Sequence, residues 1–257
     1  MRAIILAAGR GSRLSQSQGS PLPKCLLKFG GITLLERHLR LLQAAGVREV
    51  VMVLGFEHQL VEAELARLAA PGLPAVEIVI NERFILGSVL SVHVAADAMR
   101  RGGDVLLMDA DLLYDSRIMQ ALAAGAAPGN RILIDRDFEP GDEPVKVCVH
   151  HGIAVELRKQ LATDLQYDTM GESVGFFRFD EHAARRLAEL VAEYVDSGRV
   201  NLPHEEALRD LILERSQIFQ IVDVTGAPWV EIDFPADVER AAREVLPQLV
   251  SLSGAAA

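Results

Sequence analysis

Cysteine is nearly absent from this sequence. Cys25 and Cys148 are too few for a disulfide framework and sit at no metal-binding spacing, which fits a reducing compartment. No apolar run approaches the ~18 residues that a membrane span needs. The start, Met1-Arg2-Ala3-Ile4-Ile5-Leu6-Ala7-Ala8, mimics a signal peptide. Its apolar run is too short for one and leads straight into a glycine loop, so it reads as a buried strand and a cytoplasmic protein is expected. Internal repeats and low-complexity tracts are missing, and only the tail 251–257 reads as disordered. Positive charge is scarce too: 26 Lys and Arg face 36 Asp and Glu, a net charge of −10. A nucleic-acid binder would usually be basic over a broad face, so that class is excluded.

What is present is concentrated at the start. Residues 1–40 hold Arg2, Arg10, Arg13, Lys24, Lys28, Arg37 and Arg40 against Glu36 alone, a balance of +6, so the remainder carries −16. Inside this region an apolar strand, Ala3 to Ala7, empties into Ala8-Gly9-Arg10-Gly11-Ser12-Arg13-Leu14, followed after a polar spacer by Pro23-Lys24-Cys25-Leu26. Small or absent side chains at Ala8, Gly9 and Gly11 let backbone N–H groups approach an anion closely. Arg13 offers a planar fork to phosphate oxygens, and Lys24 a compact point charge. Two better known glycine loops do not fit. A dinucleotide fingerprint wants a third glycine where Leu14 stands and an acid about twenty residues on, where Lys28 to Thr33 offers none. An ATP-binding P-loop wants Gly-Lys-Ser/Thr in succession, whereas Lys24 follows Pro23.

The opening resembles that of the nucleotidyltransferases that join a nucleoside triphosphate to a phosphorylated sugar or alcohol and release pyrophosphate. Their pattern, Leu-x-Ala-Gly-x-Gly-x-Arg-Leu, spacer, Pro-Lys-x-Leu and a Gly before a helix, is read here as Leu6 to Leu14, Pro23 to Leu26 and Gly30-Gly31. The segment Lys146 to Phe177, with Glu172-Ser173-Val174-Gly175-Phe176-Phe177, is most similar to cytidylyltransferases for phosphocholine, inositol 1-phosphate and small aminophosphonates. The spacer departs from the usual Pro-Leu-Thr of the sugar-phosphate enzymes, having Ser15-Gln16-Ser17-Gln18-Gly19-Ser20-Pro21-Leu22 instead.

The rest of the chain is consistent with an α/β fold. Helical periodicity over 32–45, 57–69 and 88–101 alternates with an apolar run at 50–54 and strands at 75–80 and 104–108, which implies a parallel sheet covered on both faces. Ligands in such sheets lie beyond the carboxyl ends of the strands. From Arg131 the texture changes: strands at 132–134, 145–149, 153–157 and 174–179, an acidic loop at 135–144, a hairpin tip at His150-His151-Gly152, and helices after Asp180, over 205–215 and over 236–246. The resemblance implies a doubly wound, mostly parallel, Rossmann-like sheet of the nucleotide-diphospho-sugar transferase type with a small acceptor-binding β/α region. We expect one domain over 1–250: a nucleotide-binding half (1–130), an acceptor half (131–234) and a C-terminal helix (235–250).

The reaction so implied is attack by an acceptor phosphate oxygen on the α phosphorus of the triphosphate. Both partners are anions, so the protein has to neutralise and align more than it has to supply a base. Mg2+ suits carboxylate oxygens and phosphates. The resemblance assigns its ligands to Asp111, in Asp109-Ala110-Asp111 after a strand, and to Asp233, just ahead of Pro235 and a helix start; a turn acid and an ordinary helix cap are the plain alternatives. It assigns catalysis to Arg13 and Lys24, and nucleotide binding to Leu6, Ala7, Ala8, Gly9, Gly11, Asn81, Gly87 and Ser88, although Asn81 also reads as a turn residue and Gly87-Ser88 as a helix start. Asp135, Lys146, Asp168 and Glu172 fall in the acceptor region, where a solvated acidic loop is the plain reading; His150 and His151 read as turn residues and Trp229 as core. The expected partners are CTP and a small phosphorylated alcohol or phosphonate, with neither nucleic acid nor membrane, and a homodimer is left open. A sugar 1-phosphate uridylyl or thymidylyl transferase and a catalytically silent nucleotide-binding regulator are the competing readings.

Overall fold

A computed structural model of the protein describes residues 1–14, 22–125, 129–139, 141–250 and 252. The spacer 15–21 and nearly all of the tail expected to be disordered lie outside these. The apolar start forms strand β1 (Arg2–Ala7), and a small antiparallel pair follows, β2 (Lys28–Phe29) with β3 (Ile32–Thr33). Helix α1 (Leu34–Ala44) starts later than its periodicity suggests, because Ile32 and Thr33 are drawn into β3. The Thr33 hydroxyl then caps the helix by accepting from the Glu36 N–H at 3.1 Å. Next come β4 (Glu49–Leu54), α2 (His58–Leu68) and β5 (Ala75–Ile80). The helix expected over 88–101 is divided into α3 (Val89–Val94) and α4 (Ala96–Arg100). After β6 (Val105–Asp109) the chain forms β7 (Leu112–Tyr114) and α5 (Ser116–Ala123). The later half contains β8 (Asn130–Asp135), β9 (Lys146–His150), β10 (Ile153–Arg158), β11 (Thr169–Phe179), α6 (Glu181–Asp196), α7 (His204–Glu214), β12 (Phe219–Asp223), β13 (Trp229–Glu231) and α8 (Pro235–Arg240). Beyond Arg240 the expected helix loosens into a π turn over 241–245 and a 3-10 turn over 246–248 that contains Pro247.

The alternation gives a mixed α/β fold with a largely parallel central sheet, as the sequence implied. Two compact units are distinguishable. The first comprises 1–85, 108–120 and 227–257. In it β1 pairs in parallel with β4, and β4 with β5, in register from Arg2↔Glu49 and Glu49↔Ala75. Consecutive residues Ala3, Ile4 and Ile5 are all fully buried. A half-exposed strand would bury every other residue, so β1 is covered on both faces. A second apolar cluster joins distant segments of this unit: Leu14, Phe29, Leu34, Leu113, Val230, Ile232, Ala241 and Val245.

The second unit comprises 86–107 and 121–226. Its strands run β10, β9, β11, β8, β12, antiparallel except for the last pair. β11 bulges between Ser173 and Phe177, where Gly175 takes φ +74° and its N–H reaches the Ser173 hydroxyl at 3.2 Å. Helices α3 and α4 pack on α6, and α7 packs on α6 and β10. Among the described residues no helix is long and apolar enough to cross a membrane.

Candidate active site

The glycine loop leaves β1 at Ala8, whose carbonyl accepts the Phe56 N–H at 3.0 Å and so ties the loop to the segment that follows β4. Gly55 permits that approach, since a Cβ there would stand 2.8 Å from the Ala8 oxygen and 2.7 Å from Phe84 Cβ. Gly11 sits at φ +57°, and a Cβ on it would lie 3.1 Å from Lys24 Cγ. Glycine therefore both makes the turn and lets the Lys24 stem lie along it. A Cβ at Gly9 would meet nothing within 4 Å among the described residues, so glycine there leaves room beside the loop.

The carboxylates arrive from elsewhere in the chain. β7 and β13 pair as an antiparallel ribbon, Tyr114↔Trp229, Leu113↔Val230 and Leu112↔Glu231. The ribbon is extended by the Ile232 N–H donating to the Asp111 carbonyl at 3.0 Å. Leu113, Val230 and Ile232 anchor it in the apolar cluster, and burying each such side chain stabilises by about 1.5–3 kcal/mol. The Asp237 carboxylate then fixes the end of the ribbon, accepting from the Asp233 N–H at 2.9 Å and the Phe234 N–H at 2.6 Å. Asp111 and Asp233 are thereby brought to one place.

Between them lies Lys24. Its Nζ donates to Asp111 Oδ2 at 2.9 Å and to Asp233 Oδ1 at 2.6 Å, while Arg13 Nη1 approaches Asp233 Oδ2 at 3.3 Å with its guanidinium 5.2 Å from the centre of the Phe234 ring. Burial alone would lower the pKa of Lys24, but the charges of Asp111 and Asp233 outweigh it and hold the ammonium protonated well above the usual lysine range. Glu231 brings a third carboxylate, with donor atoms of Asp111, Glu231 and Asp233 all within 4.8 Å of one another. Withdrawal from water, followed by the charges of Asp111, Asp233 and Asp109, pushes the Glu231 carboxyl above its ordinary range, although the residue keeps an exposed face. A set of oxygen donors carrying excess negative charge fits a hard divalent cation.

Two groups brace this arrangement from behind. His38, fully buried on α1, has Nε2 3.1 Å from the Ala110 carbonyl and Nδ1 3.2 Å from the Tyr114 hydroxyl. A carbonyl only accepts, so Nε2 carries the proton and Nδ1 accepts from Tyr114. Burial pushes this imidazole down to about 4, which keeps it neutral. It grips the peptide between Asp109 and Asp111. Cys25, beside Lys24, is buried and its thiol is pushed up to about 12 by that burial and by Asp111, so it packs as an inert thiol.

The other residues singled out in the sequence are distributed as follows. Asn81 is buried at the end of β5, where its Oδ1 accepts the Arg83 N–H at 3.0 Å in an Asx turn. Gly87 and Ser88 belong to the second unit. A Cβ on Gly87 would stand 2.1 Å from the Leu202 oxygen, and Ser88 Oγ accepts the His204 N–H at 2.8 Å, so both are engaged by the segment that leads into α7. Register places Glu172 beside Lys146 on one side and Asp135 on the other, so three of the four acceptor candidates share a row across β9, β11 and β8. Lys146 is buried with Nζ donating to the carbonyls of Gly141 at 2.6 Å, Pro144 at 3.2 Å and Lys159. Asp168 stands apart with His150 and His151.

The positive balance of residues 1–40 is less concentrated than the sequence suggests. Arg2 pairs with Glu49 at 2.8 Å, Arg40 with Glu36 at 2.6 Å, and Arg37 is buried on α1. Sequence reading missed Glu231 and His38. Glu231 was discoverable from its i, i+2 spacing to Asp233 on a short strand; nothing marked His38.

A family model described as a MobA-like NTP transferase domain matches residues 3–174. The chain is 28% identical over 255 residues to a bifunctional IPC transferase and DIPP synthase of Thermococcus kodakarensis, covering 98% of this chain and 52% of that protein. It is 25% identical over 248 residues to a CMP-5'-(3-aminopropyl)phosphonate synthase of Streptomyces rubellomurinus, covering 94% of this chain and 38% of the other. The chain thus spans about half or less of the length of these relatives. Among solved structures, the inositol-1-phosphate CTP transferase from T. maritima superposes with a TM-score of 0.72 at 20% identity, over 97% of this chain and 98% of that one, a likeness of fold. With the glycine loop, the paired cations and the family match in agreement, the chain belongs to the MobA-like NTP transferase domains.

Proposed function

We propose that the chain is a Mg2+-dependent cytidylyltransferase that transfers CMP from CTP to a small phosphorylated alcohol or phosphonate and releases pyrophosphate. The observation that carries this reading is the position of Lys24, whose ammonium is held between Asp111 and Asp233 by partners that a metal ion and a polyphosphate can replace. Mg2+, held by Asp111 and Asp233 with Glu231 nearby, would neutralise phosphate charge as the α phosphorus is attacked. The chain's own groups do the rest. Lys24, exchanging carboxylates for phosphate oxygens, remains charged throughout because burial is outweighed by its anionic surroundings. Arg13 grips the leaving oxygens, and the backbone of Leu6, Ala7, Ala8, Gly9 and Gly11 lines the loop, with Asn81 as a further nucleotide contact. His38 holds the Ala110 peptide and thereby the aim of Asp111.

The preference for CTP and for a phosphorylated alcohol or phosphonate is supported by the names of the relatives and by the resemblance of the 146–177 segment. In the acceptor half, the row formed by Asp135 and Glu172 offers carboxylates suited to a cationic or hydroxylated head group. The test is pyrophosphate release with Mg2+, crossing CTP, UTP, dTTP, ATP and GTP against phosphocholine, 2-aminoethylphosphonate, inositol 1-phosphate and glucose 1-phosphate. Selective turnover of CTP with one alcohol phosphate or phosphonate is expected. Turnover confined to a sugar 1-phosphate with UTP or dTTP, or nucleotide binding with no turnover across the grid, overturns the reading.

A further inference from the structure

Outside the carboxylate site, the described residues hold one other group of metal-ligating side chains, His150, His151 and Asp168, with all three donor atoms within 4.8 Å of one another. The arrangement depends on an unusual backbone. In an extended strand, successive side chains point to opposite faces, so two adjacent histidines should diverge. Here β9 and β10 are joined by a two-residue turn, His151-Gly152, with φ of +51° and +79° and Ile153 paired to His150. That is the left-handed conformation that Gly and Asn adopt most readily, and a side chain such as histidine resists it by about 1–2 kcal/mol. Its effect is to swing His151 onto the side of His150, with ring centroids 4.0 Å apart.

Asp168 completes the group from the residue before β11. Its backbone N–H donates to the Val149 carbonyl at 2.8 Å, which locks it beside the turn. Oδ2 accepts the His151 N–H at 2.6 Å, and Oδ1 lies 3.1 Å from His150 Nδ1. His151 Nδ1 is 3.7 Å from Oδ2. A tetrahedral ion with ligands at about 2.05 Å separates neighbouring donors by about 3.3 Å. The two observed nitrogen–oxygen separations run to different oxygens of Asp168 and bracket that value, so the carboxylate can offer one oxygen to an ion that both imidazoles reach by rotating within their 4.8 Å grouping.

We infer that His150, His151 and Asp168 form a second metal site, selective for a divalent transition ion of the zinc class and separate from the oxygen-donor site at Asp111 and Asp233. Two imidazoles and a carboxylate suit Zn2+, Co2+ or Ni2+ and are poor ligands for Mg2+. Each imidazole binds through Nδ1 with its proton on Nε2, and the positions facing solvent remain for water or an outside ligand. The ion would join the β9–β10 turn to the start of β11.

The experiment is a Co2+ titration of the full chain in excess Mg2+, which occupies the oxygen-donor site, followed by visible absorption and then displacement with Zn2+. One equivalent with a nitrogen-ligand spectrum is expected, displaced by Zn2+ and retained in the Asp111→Asn/Asp233→Asn variant. The His150→Gln/His151→Asn variant keeps a residue that tolerates the left-handed turn and should bind at least tenfold more weakly, while its pyrophosphate release stays at the parent level. Absence of that equivalent in the parent, or parent-like binding by the histidine variant, overturns the inference.

Discussion

Lys24 in the first unit and Lys146 in the second are both largely withdrawn from water and both hydrogen-bonded, yet their partners differ in kind. Lys24 is held by two carboxylates at the mouth of a glycine loop, partners that can turn to a cation while the ammonium turns to a phosphate. Lys146 is held by three backbone carbonyls, two from the 141–144 segment and one from Lys159 just beyond β10, which cannot leave without unfolding those segments. The same contrast separates other charged pairs. In the second unit Arg178 is buried against Asp104 at 2.6 Å and the carbonyls of Ala123 and Ala124, and Glu156 takes two bonds from Arg209. These pairs are closed, whereas the proposed function requires the partners around Asp233 to exchange. The exchangeability of a cation's partners, more than its burial, distinguishes a binding group from a brace.

The largest expected effect comes from removing the exchangeable anions. Asp111→Asn with Asp233→Asn should abolish Mg2+-dependent pyrophosphate release, a loss of about 4 kcal/mol or more of transition-state stabilisation. A fully active double variant would take both residues out of the metal site. Lys24→Ala should cost about 3 kcal/mol or more, over a hundredfold in kcat/KM, with the fold intact; turnover within a few fold of the parent breaks the comparison at its centre. Lys146→Met should act on stability, lowering it by about 2 kcal/mol in urea titration because carbonyls are left without donors. If the variant instead keeps its stability and loses acceptor affinity, Lys146 belongs with Lys24 after all.

The smallest effect concerns pH. The unfolded His38 imidazole takes up a proton near 6.5, but in the folded chain burial delays this to about 4. Below 6.5 the unfolded state therefore binds more protons, and stability falls as pH drops toward 4. Between pH 7.5 and 5 the loss amounts to about 2 kcal/mol. It should appear as a steeper decline of the urea midpoint in the parent than in His38→Gln; equal slopes would mean that His38 is not held neutral by the fold.

Much of the first unit was legible in the chain. Strands β1 and β4 announced themselves as apolar runs and β5 as one broken only by Glu77, and the spacing of Gly9, Gly11, Arg13 and Lys24 was visible as a motif. The union of Asp111 with Asp233 was legible only through family resemblance, because a three-residue ribbon such as β7–β13 carries no periodicity long enough to read. His38 was invisible for a different reason: a single histidine on an apolar helix face becomes informative only once the carbonyl it meets is known. In the second unit, the row of Asp135, Glu172 and Lys146 depends on strand register, which a sequence with bulges does not disclose.

The ribbon also sets a condition on the birth of the enzyme. Asp111 and Asp233 lie on segments joined by a hydrogen bond from Ile232 to the Asp111 carbonyl, and the ribosome makes one long before the other. A nascent chain with its glycine loop, Lys24 and Asp111 already in place still lacks half of the carboxylate pair. On the proposed assignment of the metal to Asp111 and Asp233, catalysis waits until Asp233 has been made, and a chain truncated before it is expected to be inert however well its sheet has formed.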